Sequence, residues 1–334
     1  MNAPLSRPLT QRITSPLRRL SPPALALILA ILLFLLGGVI NPNFVSIASA
    51  TNVIRLAAFL GIIAAGQTLV IISGGEGIDL SAGTVVTLSA ILVFRITNGD
   101  DAMVPVGLAV ALAVGAAIGF INGAGVMLVG IPPLVMTLGM AGVVSGTILI
   151  VTQGNLIGKT PEVMPRLISD PLLFGVPGVV FFWFLLGGAM WLLLERSGYG
   201  RRLFAIGVNR TAARLSGVRV QRMVIITFAL SGMLSALGGF MLLGFSQTVF
   251  LNLGDTYLFP SIAAVVVGGT LLSGGKGSYW GTMSGALVLT LIDSLLTAVR
   301  ARVPEIGEAY KLIILGVTLV ILLSFYGRQR NVRG

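Results

Sequence analysis

The chain has 334 residues, 55% of them hydrophobic and 10% charged, and a mean hydropathy of +1.00. Soluble domains carry about 25% charged residues, so this composition excludes an ordinary soluble protein and places the chain in a bilayer. Cysteine and histidine are both absent, which removes disulfides, thiolate sites and cysteine nucleophiles, together with most zinc and histidine-base chemistry. The net charge of +11 bears on topology rather than on nucleic acid, because basic residues in membrane proteins concentrate in cytoplasmic loops.

Uncharged runs mark the spans in chain order. The first, Pro22 to Ile40, follows a basic start with Arg7, Arg12, Arg18 and Arg19. It is longer than the apolar core of a signal peptide, so an uncleaved span is expected despite Ala48-Ser49-Ala50. Spans near 52–72 and 79–97 come next. The run Ala102 to Gly158, broken at Gly130 and Pro132-Pro133, reads as two spans near 104–128 and 133–152. The remainder lie near 174–194, 223–245, 257–272, 278–299 and 309–326. The expected fold is therefore all-α: a polytopic membrane protein of about ten transmembrane helices with cytoplasmic N- and C-termini. Residues 1–21 form a cytoplasmic segment, 22–326 the transmembrane domain with a cytoplasmic loop at 195–222, and 327–334 a cytoplasmic tail. That topology puts 15 of the 22 basic residues, but only Glu76, Asp79 and Glu195 of the 11 acids, in the cytoplasm.

Residues 59–77 and 259–277 align without a gap and share Phe, Ile and Ala positions and the Ser-Gly-Gly-x-Gly ending. Short, glycine-interrupted segments at matching places in two halves suit a transporter's working site; tight turns needing positive φ explain them equally well. The uncharged runs after Asp79 and after Lys276 are both short. Ser273-Gly-Gly-Lys276-Gly lacks the spacing of a phosphate-binding loop, so no nucleotide site is encoded.

Four polar residues in or at the ends of spans are candidates for a solute pathway: Asp79, Asn122, Thr137 and Asp293. Asp79 is also a good helix cap. Asn122 ends a stripe of small residues, Gly107, Ala111, Gly115, Gly119 and Gly123, that lets helices approach closely, so it is either interhelical glue or a partner for a polyol. Thr137 lies one turn into the span that Pro132-Pro133 starts. Asp293 shares a face with Thr290, Thr297 and Arg300 and is either a structural partner of Arg300 or Arg302 or a contact for solute. In the arginine-rich loop, Asn209 caps and Gly217 stops a helix of about two turns. So short a helix needs a surface to dock on, and its charge also suits anionic lipid.

The loop from Tyr199-Gly-Arg-Arg-Leu-Phe-Ala-Ile-Gly-Val-Asn209 through Ala212-Ala213-Arg214-Leu215-Ser216-Gly217-Val218 resembles the permease signature of the ribose/xylose/arabinose/galactose ABC importer family. Leu230-Ser231-Gly232, Gly238-Gly239, Asn122-Gly123, Pro133-Leu-Val-Met-Thr137-Leu-Gly139, Gly268-Gly269-Thr270 and Gly274-Gly275 continue the resemblance. Departures are Glu76-Gly77 inserted before Ile78-Asp79-Leu80-Ser81, Ala82 for Val, and Leu134 for Phe. The resemblance implies a bacterial inner-membrane sugar permease that is not itself an enzyme and needs no cofactor. Its implied partners are a second permease subunit, identical or paralogous, a periplasmic sugar-binding protein and a cytoplasmic ATPase, often tandem. Gly200, Arg201, Asn209, Ala212, Ala213, Arg214, Leu215 and Gly217 would couple to that ATPase. Alternatives are an ABC permease for autoinducer-2 or a branched-chain amino acid, an ion-coupled secondary transporter, and a receptor or scaffold without transport. The absence of histidine and the expected position of Asp79 and Asp293 near span ends oppose the ion-coupled alternative, and the broken spans oppose the last.

Overall fold

The computed structural model describes residues 21–75, 77–302, 313, 316 and 317. Apart from residues 313, 316 and 317, the expected tenth span lies outside the described residues, as do residues 1–20, the C-terminal tail and the inserted Glu76. Within them the expected spans appear as nine helices. They are α1 (Pro22–Ile40), α2 (Ile47–Ile72), α3 (Ala82–Thr97), α4 (Val104–Ala124, prolonged by a π-turn to Val129) and α5 (Pro133–Thr152). After a short α6 (Val163–Ile168) come α7 (Gly178–Trp191, prolonged to Arg196), two short helices α8 (Gly198–Val208) and α9 (Arg210–Leu215), then α10 (Val220–Ser246), α11 (Asp255–Val267) and α12 (Tyr279–Arg302). Seven helices are long and apolar enough to cross a membrane, while α3 and α11 are shorter. One small departure from an all-α fold is a hairpin of β1 (Pro171–Leu173) and β2 (Val176–Pro177) ahead of α7.

Of the two short helices, α3 follows Asp79 as expected, but the other is not the one after Lys276. The uncharged run after Lys276 is short because Asp293 interrupts it, yet α12 continues through Asp293 to Arg302. In the second half it is α11, before the glycine pair, that has only 13 residues. At about 1.5 Å per residue this is some 20 Å, well short of the roughly 30 Å hydrocarbon core.

Helices α2 and α10 form the centre. Almost every residue of α2 from Ala57 to Ile72 is buried, whereas α1 and α5 keep most of their side chains on the outside. Apolar side chains gain little by leaving lipid for one another, so close packing has to hold the bundle. The sequence stripe of α4 provides it: its buried residues are Gly107, Ala111, Gly115, Gly119, Asn122 and Gly123. A methyl at Gly115 would strike the Gly232 carbonyl, one at Gly232 the Gly115 carbonyl, and one at Gly119 the Phe228 carbonyl. Helices α4 and α10 thus cross backbone on backbone.

The helices alternate between two ends. One holds the arginine-rich α8–α9 loop, the turn after α2 and the turn after α11. At the other, Thr160 bonds the Gln247 carbonyl and the Val163 N–H bonds Asp101, while the exposed Glu162–Arg166 pair at 2.5 Å adds little stability. Gly119→Val is expected to lower the unfolding midpoint of the purified chain, since overpacking costs about 1–3 kcal/mol. Gly139→Ala, which meets nothing within 4 Å, is the matched control and should leave it unchanged.

Candidate functional site

A buried polar cluster sits inside the bundle where the chain breaks between α2 and α3. Gln67 on α2 donates to the Asp79 carbonyl at 2.6 Å and accepts from the Asp79 N–H at 3.2 Å. A side-chain amide thereby replaces the backbone partners that the break leaves open. The Asp79 carboxylate accepts from the Ser81 N–H (3.1 Å), the Ser81 hydroxyl (2.6 Å) and the Ser231 hydroxyl of α10 (3.0 Å). Asn122 of α4 donates to the Ser81 oxygen at 2.9 Å, and its own buried Oδ1 has no partner among the described residues. Thr137 of α5 donates to the Ile78 carbonyl at 3.1 Å. One irregular segment of five residues is thus tied to α2, α4, α5 and α10.

This corrects the expected position of Asp79. It is not at a span end but 1% exposed, bonded to the twelfth of the 27 residues of α10, about 17 Å along that helix. Nor does Asp79 cap α3, whose N-cap position is Ser81. An acid in the sequence interrupts an apolar run and so reads as an end, but an irregular segment is tolerated at depth where protein covers it. Three of the four candidate pathway residues, Asp79, Asn122 and Thr137, are therefore close together and closed to solvent. Asp293 stands apart on α12, within electrostatic range of Tyr257, with Thr297 donating to its carbonyl at 2.9 Å. Gln67 and Ser231 are further members of the cluster. The signal for Ser231 was the four-residue repeat Thr227, Ser231, Ser235 on α10, all buried. Among the described residues no group of three or more His, Cys, Asp or Glu side chains could hold a metal ion.

At the arginine-rich end, Asn209 ends α8 and caps α9, its side chain accepting from the N–H groups of Thr211 (2.9 Å) and Ala212 (3.0 Å). The other end of α9 closes with Gly217 at φ +82°, the Gly217 N–H on the Arg214 carbonyl and the Val218 N–H on the Ala213 carbonyl, each at 3.0 Å. This is the 6→1 and 5→2 pattern that glycine permits at a helix end. Ala213 faces inward, in a buried cluster that includes Val70, Ile206, Val220 and Phe228, and Gly200 packs on the Leu194 carbonyl; neither is presented to a partner. Ala212, Arg214 and Leu215 face outward, Leu215 at 85% exposure, with Val208 of α8 beside them at 72%. Arg201 is exposed on α8. Tyr199 fixes α8 to α10 through Thr227 at 2.9 Å, and burial pushes its hydroxyl up to about 12.

The two glycine pairs of the segments 59–77 and 259–277 meet beneath this loop. Gly74, Gly75, Gly274 and Gly275 all have positive φ, between +66° and +84°, so both are tight turns. They touch: the Gly275 N–H donates to the Ile72 carbonyl at 2.9 Å, and a methyl on Gly274 would strike the Gly74 backbone. Gly207 of α8 completes the knot, with no room for a methyl against Ile72 and Gly275. Arg210, the first residue of α9, donates to the Gly74 carbonyl at 3.0 Å and lies over Gly75. Desolvation draws its guanidinium below the usual arginine range. From Gly74 it is five residues to Asp79.

A multi-pass bundle with a protein-covered break, a buried polar cluster and a capped surface helix tied to both halves is the build of a membrane permease. Residues 49–323 match the family described as "Branched-chain amino acid transport system / permease component", and the chain belongs to this family of ABC importer permeases. The autoinducer 2 import system permease protein LsrC of Escherichia coli O9:H4 (strain HS) is 36% identical over 91% of this chain and 86% of its own length. That of Yersinia pseudotuberculosis serotype O:3 (strain YPIII) is 36% identical over 92% and 87%, and that of Shigella flexneri 34% over 91% and 86%. No solved structure matches. The chain is thus an inner-membrane transport subunit rather than an enzyme, and a permease of this class works with an ATPase and a periplasmic binding protein.

Asn122→Leu is expected to lower the unfolding midpoint, because it removes a buried hydrogen bond and leaves Ser81 short of a partner, at a cost of about 1–3 kcal/mol. A midpoint left unchanged with transport lost would instead make Asn122 a wall of the solute path.

Proposed function

We propose that this chain, paired with a second permease subunit, forms the path by which an ABC importer moves a monosaccharide, or a sugar-like polyol of that size, across the inner membrane. The arginine-rich end faces the cytoplasm, as do both termini, and α9 is the docking element for a tandem ATPase. A periplasmic sugar-binding protein delivers solute at the opposite end. The observation that carries the polyol assignment is the chemistry of the interior. The cluster offers hydroxyls and amides, its one carboxylate is already engaged by Ser81 and Ser231, and no basic side chain of the described residues donates to it. An amino acid's carboxylate would find no counter-charge there, and its ammonium would have to compete with Ser81 and Ser231 for the one carboxylate. A second reading, import of autoinducer-2, is favoured by the relatives, whose names carry that solute.

In this mechanism α9 follows the ATPase. Its inner face rests on α10 through Ala213, and Arg210 ties it to the turn that leads to Asp79. Displacement of α9 therefore pulls on the segment that closes the cluster, and the cluster acts as a latch between α4, α5 and α10. Asp79, Asn122 and Thr137 meet solute only when the latch opens, while Asp293 contributes from α12.

Two measurements test the proposal. Leu215→Asp should reduce ATPase co-purification at least tenfold with the unfolding midpoint unchanged, since Leu215 touches little of its own chain. Ala213→Asp should lower the midpoint itself. In cells lacking the chain and then complemented, uptake of labelled pentoses, hexoses, autoinducer-2 and leucine should separate the solutes. Restoration of sugar uptake supports the first reading, of autoinducer-2 alone the second, and of leucine alone overturns both.

A further inference from the structure

Arg219 and Arg222, which follow α9, take no part in the coupling route just described. Between the end of α9 and the start of α10 lies a groove of about 510 Å³, lined by Arg214, Gly217, Arg219, Gln221 and Arg222 among others. All three arginines are exposed, and no carboxylate of the described residues lies within ion-pair reach of any of them. Such a concentration of unpaired cations around a concavity favours an anionic guest.

The surroundings identify the guest. Gln221 reaches the Met127 carbonyl at 3.5 Å and so joins the rim of the groove to the end of α4. There Leu128 and Val129 are exposed apolar side chains, and one turn further into α10 so is Ile226. Exposed cations at the start of α10, with bare aliphatic side chains one turn along it and at the adjoining end of α4, match an anionic headgroup over its acyl chains. A water-soluble anion would use only the upper half of this arrangement, and an acidic protein surface would leave the apolar half uncovered.

We propose that this groove is a binding site for the phosphate headgroup of an anionic phospholipid, with Arg219 and Arg222 as its principal ligands and Arg214 on its rim. The lipid seals the gap between α9 and the membrane surface and so sets the resting position of α9. The site is independent of which solute is carried and of whether α9 docks an ATPase.

The test uses the full purified chain in neutral detergent, with phosphatidylglycerol, phosphatidylcholine or inorganic phosphate added, read by native mass spectrometry and by unfolding midpoint. Phosphatidylglycerol should remain bound and raise the midpoint, and the other two should not. Arg219→Gln/Arg222→Gln should weaken phosphatidylglycerol binding by roughly 30-fold, the effect of two arginines near an anionic surface, with the lipid-free midpoint retained. Arg196→Gln/Arg202→Gln, which removes two charges from the same loop outside the groove, should retain it. If the first double variant does not purify, Arg222→Gln alone should weaken binding by about fivefold. Equal loss in both double variants would reduce the effect to diffuse charge and overturn the site. So would an equal response to inorganic phosphate, or loss of the ATPase from Arg219→Gln/Arg222→Gln with lipid binding intact, which would give the groove to the partner.

Discussion

The structure turns on one steric constraint: three backbone segments meet at the arginine-rich end with no side chain between them. Gly74-Gly75, Gly274-Gly275 and Gly207 approach so closely that a single methyl at Gly207 or Gly274 would force them apart. The pairs also need left-handed φ, which glycine alone adopts without strain. The two halves of the chain and the surface loop are therefore locked to one another by backbone, and the Gly275–Ile72 hydrogen bond and the Arg210–Gly74 hydrogen bond fasten the same point. A rigid joint at this place is what a subunit driven from outside the membrane requires.

The same economy governs the interior. Where solvent provides no hydrophobic drive between helices, tight backbone crossing and internal hydrogen bonds must supply the cohesion. Helices α4 and α10 cross on glycine carbonyls, and the Asp79 segment is held by four other elements. Thr68 and Thr282 link α2 to α12 at 2.8 Å. The break between α2 and α3 costs backbone hydrogen bonds, and Gln67 restores two of them. Such a segment is stable when closed, yet it is held by a few polar bonds rather than by a continuous helix, so it can be displaced as a unit.

Much of this was legible in the residues. Spans follow uncharged runs because charge is costly in lipid. The small-residue stripe of α4 coincides with its buried face because only small residues permit backbone contact. Asn209 and Gly217 mark the ends of α9 through their capping chemistry. What was not legible depends on distant pairing. Asp79 is deep because Ser231 lies 152 positions away, and no local pattern reports that depth. Asp293 shortened an apolar run without ending a helix. Ala213 shares composition with Ala212 but faces the other way, and in so short a helix nothing in the spacing distinguishes them. Arg210 reads as one more positive charge until the turn beneath it is placed.

The link from α9 to the polar cluster through Arg210 is tested most directly by the amount of solute imported per ATP hydrolysed, in proteoliposomes holding the whole transporter with Arg210→Ala. The ATPase is expected to remain bound and active while solute imported per ATP falls at least tenfold. Transport and hydrolysis that stay in their original ratio would show that force reaches the membrane by another route and would contradict it.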